Sequence, residues 1–344
     1  MNVLFLCMDM EGLHGSFIHI MEYAEYFKSK GWNVTIGSVF IADVNRRLAE
    51  ERGFKVCPLT KFPATEFDLV YALHLLLFPA LVYKGLKYKK AISMSLSSFM
   101  EVEQLPPLQF LPQFDLIGAI SREAVDESSR KYGLNPGIYT IIPNCIPLSF
   151  LSKSAQKQSW NKQIRKICVV TNHNVKELIA LPEFVDFDID YFGSKFNTAR
   201  LITPELLLNY DAIITIGKTV QYGLGLGIPV YEYDQYGGCG YITPDNIAAE
   251  EEYNFSGRKT KRKLTARQIA EELVSGYSAA IANAPVLRKL ALKRYAIDTL
   301  IEKQLTEINK SNQPRPKLKG EALAFANASL AALQYIFRGL LSSQ

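Results

Sequence analysis

The chain has 344 residues, 21% charged and 48% apolar, a length and balance that suggest two ordinary domains and argue against long disorder. The net charge of +5 is uneven: Arg258 to Arg294 holds ten Lys or Arg against Glu271 and Glu272, so the remainder is acidic on balance and the basic stretch fits an anionic partner. The five cysteines lack paired spacing, no stretch has the length and purity of a membrane-crossing helix, and MNVLFLCMDMEG carries no cleavage signature, which together give the expectation of a cytoplasmic protein.

Val3 to Cys7 reads as a buried strand, and a loop containing Gly12 and Gly15 leads into a helix from about Ser16, its expected N-cap, to Lys30. Gly31 to Ile36 is a second strand. Asp68 to Leu73 is a third that ends at His74, and Ala91 to Met94 a fourth, followed by a loop with Glu101 and Glu103. Asp115 to Ile120 is another strand, and Ser121 caps a helix running to Tyr132. The first domain is expected over 1–152, with 153–165, polar and without apolar period, as a linker. In the second domain, 166–300, Lys166 to Thr171 is a strand leading to Asn172-His173-Asn174-Val175-Lys176, and Asp188 to Gly193 a strand with one wet face. Thr203 caps a short helix.

Asp211 to Arg258 is the most informative stretch. Ala212 to Ile216 is a short apolar strand broken by Gly217-Lys218-Thr219 just before a helix-like, glycine-bearing segment, which is the geometry of an anion site. Ile228 to Tyr231 is extended again, and Gly237-Gly238-Cys239-Gly240 follows, where backbone N–H groups can face a ligand. Thr265 to Ala282 is a helix, Pro285 begins another through about Ile308, and Glu321 to Leu341 is a last helix with a narrow polar face within the tail 301–344.

IGKTVQYGLGLGIPVYEYDQYGGCGYIT with NFSGR, together with TIIPNCIPLSFL, resembles the GT-B glycosyltransferases, specifically a bacterial subgroup associated with surface polysaccharide assembly. The resemblance implies an α/β protein of two Rossmann-like domains, the first binding acceptor and the second a nucleotide-sugar donor, with a C-terminal helix returning to the first domain or lying on a membrane surface. It implies metal-independent transfer of a hexose-like sugar to a polysaccharide or lipid-linked saccharide acceptor in cell-surface glycan synthesis. The protein would be cytoplasmic or peripheral at the inner face of the plasma membrane, with no cofactor beyond the donor and no nucleic-acid partner. A sugar-nucleotide epimerase of the same fold and a non-catalytic partner subunit of a polysaccharide machine are the alternatives.

The leaving diphosphate needs positive charge and N–H donors, and the residues placed for donor contact are Gly217, Lys218, Thr219, Gln221, Gly237, Gly238, His173, Lys176 and Arg258. Gly12 and Gly15 belong to the acceptor-side loop. His14, His74, Glu11 and Glu101 can each accept a proton as general base. Many retaining members carry two glutamates that would fall near Ile214 and at Tyr222; both are absent here, and no stereochemical outcome is assigned. No metal-ligand spacing is present, and Asp186 to Asp190 reads as a strand rather than a cation site.

Overall fold

The computed structural model describes residues 1–59, 65–74, 76–97, 99–100, 103, 108–152, 154–311 and 315–342, with the backbone course alone for 337–342. Two units divide the chain: Met1–Ile142 with Ile301–Gln344, and Pro143–Leu300.

The first unit runs β1 (Asn2–Leu6), β2 (Asp9–Met10), α1 (Gly15–Ser29), β3 (Asn33–Ser38), β4 (Phe40–Ile41), α2 (Asp43–Glu51), β5 (Lys55–Pro58), β6 (Phe67–Ala72), α3 (Leu77–Tyr83), β7 (Tyr88–Ser95), β8 (Leu116–Ala119), α4 (Arg122–Tyr132) and β9 (Tyr139–Ile141). Seven strands form a wholly parallel sheet ordered β5-β3-β1-β6-β7-β8-β9, while β2 pairs with β4. Val3 to Leu6 are fully buried, as a central strand covered on both faces requires. The order reverses between β1 and β6, so the loops leaving these two strands meet at the switch point where such sheets bind ligands. α1 begins at Gly15 with His14 as the uncapped flanking residue. Ser16, expected as the cap, is instead buried in the first turn. Ser121 does cap α4, accepting the Ala124 N–H at 3.2 Å.

The second unit contains α5 (Leu148–Leu151), β10 (Lys166–Val170), α6 (Lys176–Ile179), β11 (Asp188–Phe192), α7 (Pro204–Leu207), β12 (Ala212–Thr215), α8 (Lys218–Leu226), β13 (Val230–Asp234), β14 (Gly237–Tyr241), α9 (Ile247–Glu251) and α10 (Ala266–Tyr295). Its sheet is ordered β11-β10-β12-β13-β14, parallel except for the hairpin strand β14, and its switch point lies between β10 and β12. The polar stretch read as a linker is tied to this unit. Ala155 is buried, Lys157 donates through its backbone to Leu226 O and through Nζ to Leu208 O and Tyr210 O, and Trp160 Nε1 donates to Gly227 O.

α10 runs through Pro285 without the expected break. Ala280, Ala284 and Leu287 on either side of the proline are buried, and α10 lies against α8, so packing outweighs the lost helical hydrogen bond. The break comes at Ala296, which turns extended to bridge Ile146: Ile146 N–H donates to Tyr295 O at 2.7 Å and Ile297 N–H to Ile146 O at 3.1 Å. α11 (Ile297–Lys310) follows, and α12 (Gly320–Ser342) packs on α3 in the first unit. Ala322, Ala326 and Leu333 are buried there with Leu77, Phe78 and Leu81, and Leu330 is packed against them, so these apolar residues of α12 find their partner in protein. Among the described residues no helix is long and apolar enough to cross a membrane.

Candidate functional site

In the second unit, chemistry gathers at the carboxyl ends of β10, β12 and β13. His173 Nδ1 lies 3.0 Å from Asp234 Oδ1, and Asp234, fully buried, also accepts the Thr171 hydroxyl at 2.7 Å and the Gln235 N–H at 2.6 Å. The hydrogen bond to Asp234 raises the His173 pKa above its ordinary value, against the opposing effect of burial, and so favours the cation. The second ring nitrogen of His173 is 3.3 Å from the Gln235 amide. Asp234 and Thr171 escaped the sequence reading, although a carboxylate closing the run VYEYD at a strand end was the available signal.

Gly217 adopts φ +61° and ψ −136°, a glycine conformation, and a Cβ there would meet nothing within 4 Å, so the turn presents bare backbone to open space. Its own N–H donates to Phe255 O at 2.7 Å. Lys218 begins α8 with its ammonium 5.9 Å from the Tyr222 ring centroid, and Thr219 follows half-buried in the first turn. Gln221 is buried and faces the backbone: with its amide so oriented, the NH2 donates to Gly217 O at 2.8 Å and Lys218 O at 3.1 Å, supporting the turn from behind. Lys176 is exposed at the start of α6, and the Arg258 guanidinium lies 5.7 Å from the Tyr236 ring centroid.

Gly237 and Gly238 do not cradle a ligand. Both are buried in the β13–β14 hairpin, and the Gly238 N–H donates to Arg262 O at 3.2 Å. A Cβ on Gly237 would lie 2.2 Å from Arg262 O, and one on Gly238 1.8 Å from Glu232 O; the glycines serve close backbone packing. The glycines of α8 do similar work. A Cβ on Gly223 would strike Val230 at 2.6 Å, and one on Gly225 would press on Ile146 at 3.0 Å.

In the first unit the loops after β1 and β6 meet as the topology requires: the Met8 N–H donates to His74 Nδ1 at 2.9 Å. That bond places the ring proton on Nε2, which faces Glu103 Oε1 at 3.9 Å. His74 is buried, and desolvation lowers its pKa to about 4, so at neutral pH the ring is neutral, with Nδ1, the nitrogen a base would use, already taken by the Met8 N–H. Burial raises the Glu103 pKa to about 7, so this carboxyl, passed over in favour of Glu101, changes protonation near neutrality. Glu101 lies outside the described residues. His14 is mostly exposed with Nε2 3.3 Å from Asp9 Oδ2, and Gly12 leaves room for the ring, since a Cβ there would sit 2.5 Å from His14 Nε2. Glu11 is exposed, its N–H donating to Asp9 Oδ1 at 2.6 Å, and Gly15 opens α1 with nothing within 4 Å of a built Cβ.

The buried His74 and Glu103 pair has a measurable signature. Glu103 retains its proton in the folded state between pH 4.5 and 7 while the unfolded chain gives it up, so it contributes stability at low pH that fades as pH rises through this window. Glu103→Gln removes the effect. Urea unfolding across this range is expected to show the variant gaining on the order of 2–3 kcal/mol relative to wild type as pH rises. A difference independent of pH would contradict the burial of a protonated carboxyl.

Solved structures similar over nearly the whole chain include a glycosyltransferase from Rickettsia africae ESF-5, at TM-score 0.56 and 12% identity, covering 91% of this chain and 99% of that one. The apo form of the lipopolysaccharide outer core galactosyltransferase WaaB matches at TM-score 0.52 and 11% identity, covering 90% and 99%. The glycotransferase of kitacinnamycin matches at TM-score 0.50 and 14% identity, covering 89% and 98%. The chain has the GT-B fold. No protein-family model matches the sequence, and no curated protein matches it. A likeness at this identity carries the fold, and the chemistry must come from the residues.

Among the described residues one further group stands out: Glu232 of β13, Cys239 of β14 and Glu250 of α9, with one ligand atom from each within 4.8 Å of the others. No spacing pattern announces it, because strand, hairpin and helix bring the three together.

Proposed function

We propose that the protein is a glycosyltransferase that takes a sugar from a nucleotide-sugar donor, held by the second unit, and passes it to a polysaccharide or lipid-linked saccharide acceptor bound by the first, in bacterial cell-surface glycan synthesis. The observation that carries the reading is the switch point of the second sheet. There a histidine oriented and made more basic by buried Asp234 stands at the end of β10, and a bare glycine turn followed by Lys218 stands at the end of β12. A diphosphate leaving group would be met by the His173 cation, the start of α8 and Lys218, whose long stem lets the ammonium swing from Tyr222 towards an anion. Charge stabilisation of this kind needs no metal at the diphosphate.

On the acceptor side, the loops at the switch point of the first sheet supply two proton acceptors. His14 has Asp9 at Nε2, an arrangement that orients the ring and leaves Nδ1 to accept, and Glu103 is tuned towards neutrality by burial. His74, its Nδ1 already accepting the Met8 N–H, positions the loop after β1 rather than serving as a base.

The test is release of nucleoside diphosphate from a panel of nucleotide sugars, offered with lipid-linked and soluble saccharide acceptors. Turnover with one donor, reduced at least tenfold in His173→Ala, is the expected result. No release from any donor, by a protein that nonetheless binds a nucleotide, would overturn the enzyme in favour of a partner subunit that keeps the fold without the chemistry.

A further inference from the structure

We propose that Glu232, Cys239 and Glu250 form a buried site for a divalent, thiolate-binding transition ion of the zinc class, distinct from the diphosphate site. Glu232 is fully buried and Glu250 is 2% exposed. The outer oxygen of each carboxylate is already held by protein: Glu232 Oε1 accepts the Gly257 N–H at 2.5 Å, and Glu250 Oε1 the Thr260 hydroxyl at 2.5 Å. Glu232 Oε2 lies 3.3 Å from Cys239 Sγ, one oxygen of Glu250 lies within 4.8 Å of the ligand atoms of the other two residues, and Glu250 Oε2 is buried with no hydrogen-bond partner. An orphaned carboxylate oxygen in the interior is costly, and on a side chain grouped with a second carboxylate and a sulfur it can be relieved by a cation.

The spacing suits an ion. With zinc–sulfur and zinc–oxygen bonds of about 2.3 and 2.1 Å at a tetrahedral angle, sulfur and oxygen sit about 3.6 Å apart, close to the observed separation. A thiolate with two carboxylates favours zinc-like ions over the hard alkaline-earth ions. Binding replaces the Cys239 thiol proton, and any proton held between the carboxyls, both released to solvent. One thiolate and two carboxylates then carry three negative charges against two positive. Three outer donors disperse the excess: Gly257 N–H, Thr260 hydroxyl and the Asn246 amide, which donates to Cys239 Sγ at 3.5 Å and is oriented by Tyr241 O at 2.9 Å.

The ion would fasten β13, β14 and α9 to the loop that contains Phe255, whose carbonyl accepts the Gly217 N–H. It would thus brace the glycine turn without touching the ligand.

The experiment uses the full chain, stripped with a chelator and titrated with cobalt(II) and then zinc(II). The expected result is one ion per chain, a thiolate-to-cobalt charge-transfer band that zinc abolishes, and a rise in Tm with zinc. Cys239→Ser should lose the band. Glu250→Gln, isosteric and confirmed folded by circular dichroism of the metal-free form, should bind at least tenfold more weakly. Absence of stoichiometric binding by wild type would overturn the proposal and leave a proton shared by the two carboxyls to satisfy Glu250 Oε2. A band that survives Cys239→Ser, or unchanged affinity in Glu250→Gln, would overturn it equally.

Discussion

Asp234→Ala is expected to destabilise the second unit by about 3 kcal/mol and to weaken donor binding at least tenfold. The carboxylate is fully buried and accepts from the Thr171 hydroxyl, the Gln235 N–H and the His173 ring, so truncation strands three donors at once. The binding loss follows from His173, which without its acceptor is neither oriented nor biased towards the cation. Asp234→Asn separates the two effects: it keeps an acceptor for part of the network but removes the charge, so stability should fall less than affinity. The His173 contribution also has a pH signature. Its folded pKa is raised, so the stability it supplies is complete below the ordinary histidine value near pH 6.5 and fades as pH rises through the folded value. Urea unfolding and nucleotide titration of the three proteins check this, and an alanine variant within 0.5 kcal/mol of wild type would show the network to be incidental.

Gly238→Ala is expected to damage the same unit more severely, by 4 kcal/mol or more on the order of the largest single-site effects. A methyl group there would be placed 1.8 Å from Glu232 O and 2.8 Å from Tyr233 Cα, both backbone atoms of a central run that cannot step aside as a side chain can. The hairpin must open instead. Opening it breaks the Gly238 to Arg262 hydrogen bond and pulls apart the cluster around Glu232. Gly15→Ala is the control: the added methyl meets nothing within 4 Å at the start of α1, and the smaller entropy of the unfolded alanine chain should leave stability unchanged or up to about 1 kcal/mol higher. Thermal unfolding of both variants checks the contrast, and equal behaviour would contradict the packing.

These two glycines show where the sequence is readable and where it is not. That Gly237 and Gly238 are glycines signals a backbone demand, but local sequence cannot say whether a ligand or another segment makes it. Here it is the chain near Arg262, some two dozen residues away, that comes close to Gly237, and the facing strand at Glu232 that comes close to Gly238. The strands were legible because runs such as Val3 to Leu6 and Ala212 to Ile214 are apolar throughout, as doubly covered parallel strands require. The turn at Gly217 was legible too, since the break after such a run is local. Gln221 was not: its place beside the turn is readable, but its amide turns back onto Gly217 O and Lys218 O. Pro285 misled for a related reason, because its helix is held by burial against α8 rather than by propensity. The pairs on which the proposed chemistry rests, His173 with Asp234 and His74 with Glu103, join the ends of different strands, and only the sheet order brings them together.

The most direct test of the account is thermal stabilisation of wild type and Lys218→Ala by a panel of nucleoside diphosphates and nucleotide sugars. A ligand that binds only the folded protein raises stability by about 2.7 kcal/mol at a hundred times its Kd, so a donor is detectable without knowing the acceptor. A rise in Tm with one nucleotide class is expected, sharply reduced in Lys218→Ala at equal ligand concentration. No rise with any nucleotide, or an equal rise in both proteins, would contradict a donor site at the Gly217 turn.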